Sequence, residues 1–107
     1  MSASVGNPDQ MFALQKQRLG IVIRLTQENA MVLTLQQRVA GKEIEVMVAE
    51  RTAQGAADYH LAQAEVLKTV REHAQMQELL EHHERTVADM DASLKQIDSD
   101  IAALCQS

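Results

Sequence analysis

Pro8 is the only proline of this 107-residue chain, and the 99 residues that follow it contain none. Because proline interrupts helices, its absence over such a length permits long helices. Apolar side chains recur three and four residues apart, which places them on one stripe of a helix. Two series show this spacing: Met11, Leu14, Ile21, Leu25, Val32, Leu35 and Val39 near the N-terminus, and Val87, Met90, Leu94, Ile97, Ile101 and Leu104 near the C-terminus. The sequence therefore predicts a small protein of long amphipathic helices that pack on one another.

The charge of the chain argues against two classes of partner. The formal net charge is −5, and residues 52–107 carry ten Asp/Glu against four Lys/Arg, whereas residues 1–51 carry five against six. An acidic chain without a basic stripe is not expected to bind nucleic acid or an anionic membrane. No apolar run is long enough to span a bilayer, and a single cysteine, Cys105, excludes an intramolecular disulfide. We expect a cytoplasmic location.

Helix signals divide the chain into three predicted helices after a disordered N-terminus, residues 1–7. Asn7 can cap a helix that begins at Pro8, and Asp9 favours its positive end. This first helix is predicted to end near residue 51, before a break at 52–57 that contains Gly55, and Asp58 can cap the second helix, over about 58–81. Thr86 with Asp89 resembles a capping box, so a second turn is predicted at 82–86 and a third helix over about 86–105. No helix-breaking residue stands at 82–86, and a continuous helix is the alternative.

The expected fold is all-α: one domain over residues 8–107, an antiparallel up-down-up three-helix bundle, rod-like, with coiled-coil-type packing. Further apolar residues adjoin the main stripe of the first helix, which is what a helix between two partners requires. They are Leu19, Val22, Ile23, Ala30, Leu33, Ile44 and Val48. We assign them to the core, with an exposed docking strip or a dimer seam as the alternative.

The sequence contains no pattern that predicts chemistry. The four histidines are separated by 13, 9 and 1 residues, so no two of them have the three- or four-residue spacing that shares a metal on a helix. A glycine-rich phosphate loop and a nucleophile beside a candidate base are also missing. We therefore expect no catalytic residues, no metal and no cofactor.

Several segments resemble one known family in their order along the chain. Residues 19–28 (LGIVIRLTQE), with Ala30-Met31 after them, resemble part of the first helix of tubulin-binding cofactor A. Residues 44–47 (IEVM) with Ala49-Glu50 resemble the end of that helix, and Tyr59 with residues 63–67 (QAEVL) resembles the start of the second. The resemblance covers about residues 8–80. The chain departs from the family in its neutral and acidic middle and in lacking a proline in the second helical region.

The resemblance implies a fold and a function. The family is a three-helix rod that captures β-tubulin after its release from the chaperonin and passes it to later tubulin-folding cofactors, without nucleotide or bond chemistry. It implies a cytoplasmic, cytoskeleton-associated holding chaperone. Since the C-terminal half is acidic, as tubulin is, we expect the basic residues of the first helix to contact the partner: Lys16, Arg18, Arg24, Arg38 and Lys42.

Two other interpretations stay open. A coiled-coil subunit of a cytosolic assembly or tethering complex has the same helical stripes, and a seam left exposed in the monomer would favour it. A prefoldin-like subunit also has long helices, but residues 52–57 (TAQGAA) lack the flanking strands of a β-hairpin. A homodimer is compatible with each of these.

Overall fold

The computed structural model describes residues 7–106 and contains two α-helices, α1 (Pro8–Gln54) and α2 (Tyr59–Gln106). The start of α1 is the predicted one. The Asn7 side-chain oxygen Oδ1 accepts a hydrogen bond from the Asp9 backbone N–H at 2.8 Å, and Pro8 is the first helical residue. Apart from Asn7, the residues predicted to be disordered at the N-terminus lie outside the described range.

The break between the helices is short and lies close to its predicted place. At the end of α1, the Gly55 N–H donates to the Thr52 carbonyl at 3.2 Å and the Ala56 N–H donates to the Ala53 carbonyl at 3.3 Å. These hydrogen bonds join residues three apart, and they satisfy carbonyls that the last turn of the helix would leave free. No residue from 7 to 106 has a positive φ, so Gly55 ends the helix without the left-handed conformation. The Leu61 N–H donates to Asp58 Oδ1 at 3.0 Å, which confirms Asp58 as the cap of α2.

The predicted three-helix bundle is wrong. The expected second turn at 82–86 is helical, and α2 continues through it for 48 residues. The polar segment from His82 to Arg85 suggested a turn, but neither glycine nor proline occurs between residues 59 and 106. The inward positions also continue in phase, from Leu80 through the half-buried His83 and Val87. A helix whose hydrophobic phase is unbroken has no reason to end at a polar patch.

The chain divides into two compact units. Unit 1 holds the residues up to Ala30 and those from Arg85 onward, and unit 2 holds Met31–Glu84. In unit 2 the second half of α1 and the first half of α2 form a helical hairpin. In unit 1 the first half of α1 pairs with the last part of α2, and an ion pair of 2.7 Å joins Arg18 Nε to Asp98 Oδ1.

Both units pack in a coiled-coil manner through inward positions that alternate at three and four residues. These inward positions are buried or half-buried. In unit 1 they are Met11, Leu14, Ile21, Leu25, Glu28, Val87, Met90, Leu94, Ile97, Ile101 and Leu104. In unit 2 they are Val32, Leu35, Val39, Lys42, Val46, Ala49, Ala53, Ala62, Val66, Thr69, His73, Met76, Leu80 and His83.

The buried core of the described residues is small. Leu35, Val39 and Leu80 form a cluster in unit 2, with Val32 and Met76 packed against it. Within the described part of unit 1, the only apolar residue in the buried class is Ile97, which is 9% exposed. Two helices in contact bury one side of each, so their remaining sides face solvent. None of the described helices is long and apolar enough to cross a membrane.

Candidate interaction surfaces

One side of α1 is both apolar and exposed. Its members are spaced alternately four and three residues apart, as the inward positions are. Three of them, Leu19, Ile44 and Met47, also line grooves that residues of α2 share. In unit 1 this outer face of α1 consists of Phe12, Lys16, Leu19, Ile23, Thr26 and Ala30, and in unit 2 it consists of Leu33, Gln37, Ala40, Ile44, Met47 and Arg51. Every one of these residues is exposed, and the six largest apolar side chains among them are 50% to 68% exposed. The charges on the outer face, Lys16 and Arg51, lie towards the two ends of the helix.

This exposure corrects the predicted core. We assigned Leu19, Val22, Ile23, Ala30, Leu33, Ile44 and Val48 to a core between two partner helices. Of this set only Val22 is half-buried, and the others are exposed. The core assignment fails because the third helix that was to cover them is the continuation of α2. The exposed strip, which was the alternative, is what the structure has.

The outward side of α2 is different in character. Its outward positions alternate in the same way but hold small and charged residues, among them Arg71, Glu78, Glu81, Arg85 and Lys95. Exposed large apolar residues such as Leu67 and Leu79 occur there at irregular places. Single exposed apolar residues are normal on a protein surface, whereas a regular row of them marks an interaction site. The row on α1 is therefore the candidate site.

The predicted partner-contacting residues are not gathered on one surface. In unit 1, Lys16 lies on the outer face, Arg18 is held by Asp98, and Arg24 lies on a flank of the helix. In unit 2, Arg38 is exposed one helical turn before the half-buried Lys42. Lys16, Arg24 and Arg38 have no ion-pair or hydrogen-bond partner among residues 7–106. Sequence reasoning identified these residues by charge alone, and charge does not distinguish an outer position from an inward one.

Lys42 is held within unit 2 by two carboxylates. Its Nζ lies 2.9 Å from Glu45 Oε2 and 3.7 Å from Glu72 Oε2. The hydrogen bond to Glu45 raises the pKa of Lys42 above its usual value of 10.5; partial burial opposes this shift, and the charges of Glu45 and Glu72 add to it. Lys42 is therefore a structural link between α1 and α2 more than a group offered to a partner.

A groove lies beside Lys42 on one side of the hairpin in unit 2. Ile44, Val48, Ala49 and Ala62 form its apolar lining. Three carboxylates also line it, those of Glu45, Glu65 and Glu72. Lys42 lines it too and offsets part of their charge, and the remaining excess of carboxylates favours a basic ligand over an acidic one.

His73 is the one side chain in this region with an unsatisfied polar atom. Its Nε2 lies 3.5 Å from Glu43 Oε1, a separation at which the geometry does not give a hydrogen bond, although the atom is shielded from water. The side chain sits at an inward position of α2 opposite α1. Within residues 7–106 no three His, Cys, Asp or Glu side chains are arranged to hold a metal ion.

No protein-family model, curated protein or solved structure matches this chain. The resemblance to tubulin-binding cofactor A therefore depends on the residues quoted for it.

Proposed function

We propose that this chain is a non-catalytic assembly subunit, a coiled-coil hairpin that joins a helical partner through the outer face of α1. The observation that carries the proposal is the regular row of exposed apolar residues on that face. Its spacing is the one with which a second helix interlocks. Each large apolar side chain contributes about 1.5–3 kcal/mol when it is fully buried, so covering several of them stabilises a complex strongly.

The partner is helical because the outer face in each unit is a row of single side chains. A row of single side chains at intervals of four and three fits the ridge of another helix, whereas a globular surface would need a broader patch. The face also lacks carboxylates, although the chain is acidic overall. A helix with an apolar stripe therefore meets no like charge in the middle of the contact. A cytoplasmic location belongs to this proposal.

The test compares two aspartate substitutions of exposed leucines. Leu33 lies on the outer face of α1 and is 57% exposed, whereas Leu67 lies on the outward side of α2 and is 59% exposed. In extracts of cells that express the tagged chain, we expect the wild type and Leu67→Asp to elute in a complex larger than one chain. Leu33→Asp is expected to elute smaller. Unchanged elution of Leu33→Asp would refute the role of the outer face.

Capture of β-tubulin is a second candidate function, and the resemblance of residues 8–80 to tubulin-binding cofactor A supports it. The cations Lys16, Arg24 and Arg38 are exposed and available to an acidic partner. Two observations weigh against it: residues 7–106 form no third helix, and carboxylates line the groove of unit 2. Transfer to later tubulin-folding cofactors and association with the cytoskeleton belong to this candidate.

Size-exclusion chromatography with β-tubulin freshly released from chaperonin tests the second candidate, with the αβ-tubulin dimer as control. A complex with free β-tubulin alone, weakened by Lys16→Glu and unchanged by Lys95→Glu on α2, would support capture. Absence of a complex with the folded, helical chain would remove this candidate and leave the assembly subunit.

A further inference from the structure

We propose that the groove of unit 2 beside Lys42 binds a basic amphipathic helix of a partner protein. This inference goes beyond the proposed function, because Ile44 is the only residue that the groove shares with the outer face of α1. All ten residues that line the groove belong to unit 2, so the site is complete within one compact unit. Its length, its apolar lining and its charge each favour such an occupant.

The groove runs along both helices of the hairpin. Its lining residues extend from Lys42 to Thr52 on α1 and from Ala62 to Glu72 on α2. Ten residues of a helix correspond to about 15 Å, or nearly three turns, because each residue adds 1.5 Å. The volume of the groove is about 550 Å³, which gives room for several side chains. These dimensions fit a short helix that lies lengthwise between α1 and α2.

The α1 side of the groove is apolar. Ile44 and Val48 lie four residues apart on one stripe of α1, and they are 62% and 57% exposed. Ala49 and Ala62 are half-buried and contribute short side chains to the lining. Small residues beside large ones leave space into which the apolar side chains of another helix pack. Covering Ile44 and Val48 would remove two large apolar side chains from water.

The α2 side of the groove is acidic. Glu65 and Glu72 lie seven residues apart, which places them on the same side of α2. Glu72 shares Lys42 with Glu45, as described above. Glu65 is exposed and has no ion-pair or hydrogen-bond partner among residues 7–106. Its carboxylate is therefore available to a cation of the partner.

The charge of unit 2 as a whole favours the same partner. Residues 31–84 carry nine Asp/Glu against five Lys/Arg, whereas the rest of the chain carries six against five. Most of the negative charge of the protein is thus concentrated in the unit that holds the groove. A field of this sign attracts a basic helix and repels an acidic one.

The polar groups of the groove are not those of a small-molecule site. Thr69 is the only buried polar residue among residues 7–106, and its hydroxyl donates a hydrogen bond to the Val66 carbonyl at 2.9 Å. Glu45 and Glu65 are exposed to solvent. A small-molecule pocket has several polar groups that converge on its ligand. An apolar lining with exposed charges around it is typical of a protein interface.

The test measures binding of a synthetic peptide to the purified full chain. The probe is a fluorescent peptide of about four helical turns, held helical by a side-chain staple, with a leucine stripe and a flank of lysines. A control peptide has glutamate in place of each lysine. By fluorescence anisotropy we expect the basic peptide to bind on the order of tenfold more tightly than the acidic one, and its binding to weaken as salt is added.

Two substitutions in the groove are compared with matched changes outside it. Glu65→Lys and Val48→Asn are each expected to weaken the basic peptide by about tenfold. Glu78→Lys makes the same charge change on the outward side of α2, and Val70→Asn changes a valine that is 42% exposed and does not line the groove. Both controls should bind as the wild type does. Circular dichroism checks that every variant keeps its helicity.

The outcomes separate this inference from the proposed function. Absence of binding, equal binding of the two peptides, or binding that Glu65→Lys and Val48→Asn leave unchanged would overturn the inference. Leu33→Asp, which alters the outer face and not the groove, should still bind the basic peptide.

Peptide binding that is lost in Leu33→Asp and kept in Val48→Asn would place the helix on the outer face, which would overturn the inference and support the proposed function. Peptide binding in the groove together with unchanged elution of Leu33→Asp in extracts would do the reverse.

Discussion

Leu33 and Leu35 show how two identical side chains, two residues apart, differ in environment. Leu35 is 1% exposed in the cluster with Val39 and Leu80, whereas Leu33 is 57% exposed on the other side of the same helix. A helix turns by about 200° over two residues, because it has 3.6 residues per turn. Residue type alone therefore does not separate the core of this protein from its candidate interface.

Leu35→Ala is expected to destabilise the chain by about 2–5 kcal/mol, because it leaves a cavity in the only cluster of large buried side chains among the described residues. The matched control is Leu67→Ala, whose side chain is 59% exposed and whose loss should change the unfolding free energy by less than about 0.5 kcal/mol. Urea denaturation followed by circular dichroism measures both. Equal destabilisation by the two variants would contradict the assignment of the core.

The raised pKa of Lys42 predicts that the folded chain loses stability at alkaline pH. Its pKa is raised in the folded chain, so the protonated lysine stabilises the fold below its ordinary value of 10.5, and this contribution is lost as the pH rises through the folded pKa. We expect the urea midpoint of Lys42→Gln to fall less than that of the wild type between neutral pH and pH values above 10.5. Lys95→Gln changes the exposed side of α2, and its urea midpoint should fall as much as that of the wild type. Parallel midpoints for all three proteins would show that the link to Glu45 and Glu72 carries no stability.

At the scale of the elements, local signals predicted the helix starts, and hydrophobic phase decided the helix length. Asn7, Pro8 and Asp58 act through hydrogen bonds to their own neighbours, so their roles are visible in sequence. The segment 82–86 contains a similar local signal, but α2 continues through it. A capping pattern indicates where a helix can begin and does not require the preceding helix to end.

Asp58→Ala is expected to lower the free energy of unfolding by about 1 kcal/mol, because it leaves the Leu61 N–H without its acceptor at the start of α2. Asp58→Asn, which keeps an oxygen at the same place, should lie close to the wild type. Thermal unfolding followed by circular dichroism compares the two. By contrast, Thr86→Ala should show no loss of cap energy, since Thr86 lies inside α2. A larger effect at Thr86 than at Asp58 would contradict the helix bounds.

At the scale of the whole molecule, the buried core is small and the row of apolar side chains on α1 is exposed. Among residues 7–106, five apolar residues are buried and thirteen large ones are exposed. A protein of this kind gains stability when the exposed row is covered. Its measured stability should therefore rise when the proposed helical partner is bound.

The sequence by itself determined that the protein is helical, where α1 begins, where the two helices are separated, and which apolar stripe lies inward on α1 and on the last part of α2. These follow from hydrophobic spacing and from capping groups, which act over one or two turns. Only the tertiary structure decided that there are two helices and that Leu19, Ile23, Leu33 and Ile44 face solvent. It also decided that Arg18 and Lys42 are held by carboxylates of α2. The physical reason is that a helix with two apolar sides is the same in sequence whether its second side meets another helix of its own chain, a second copy or water.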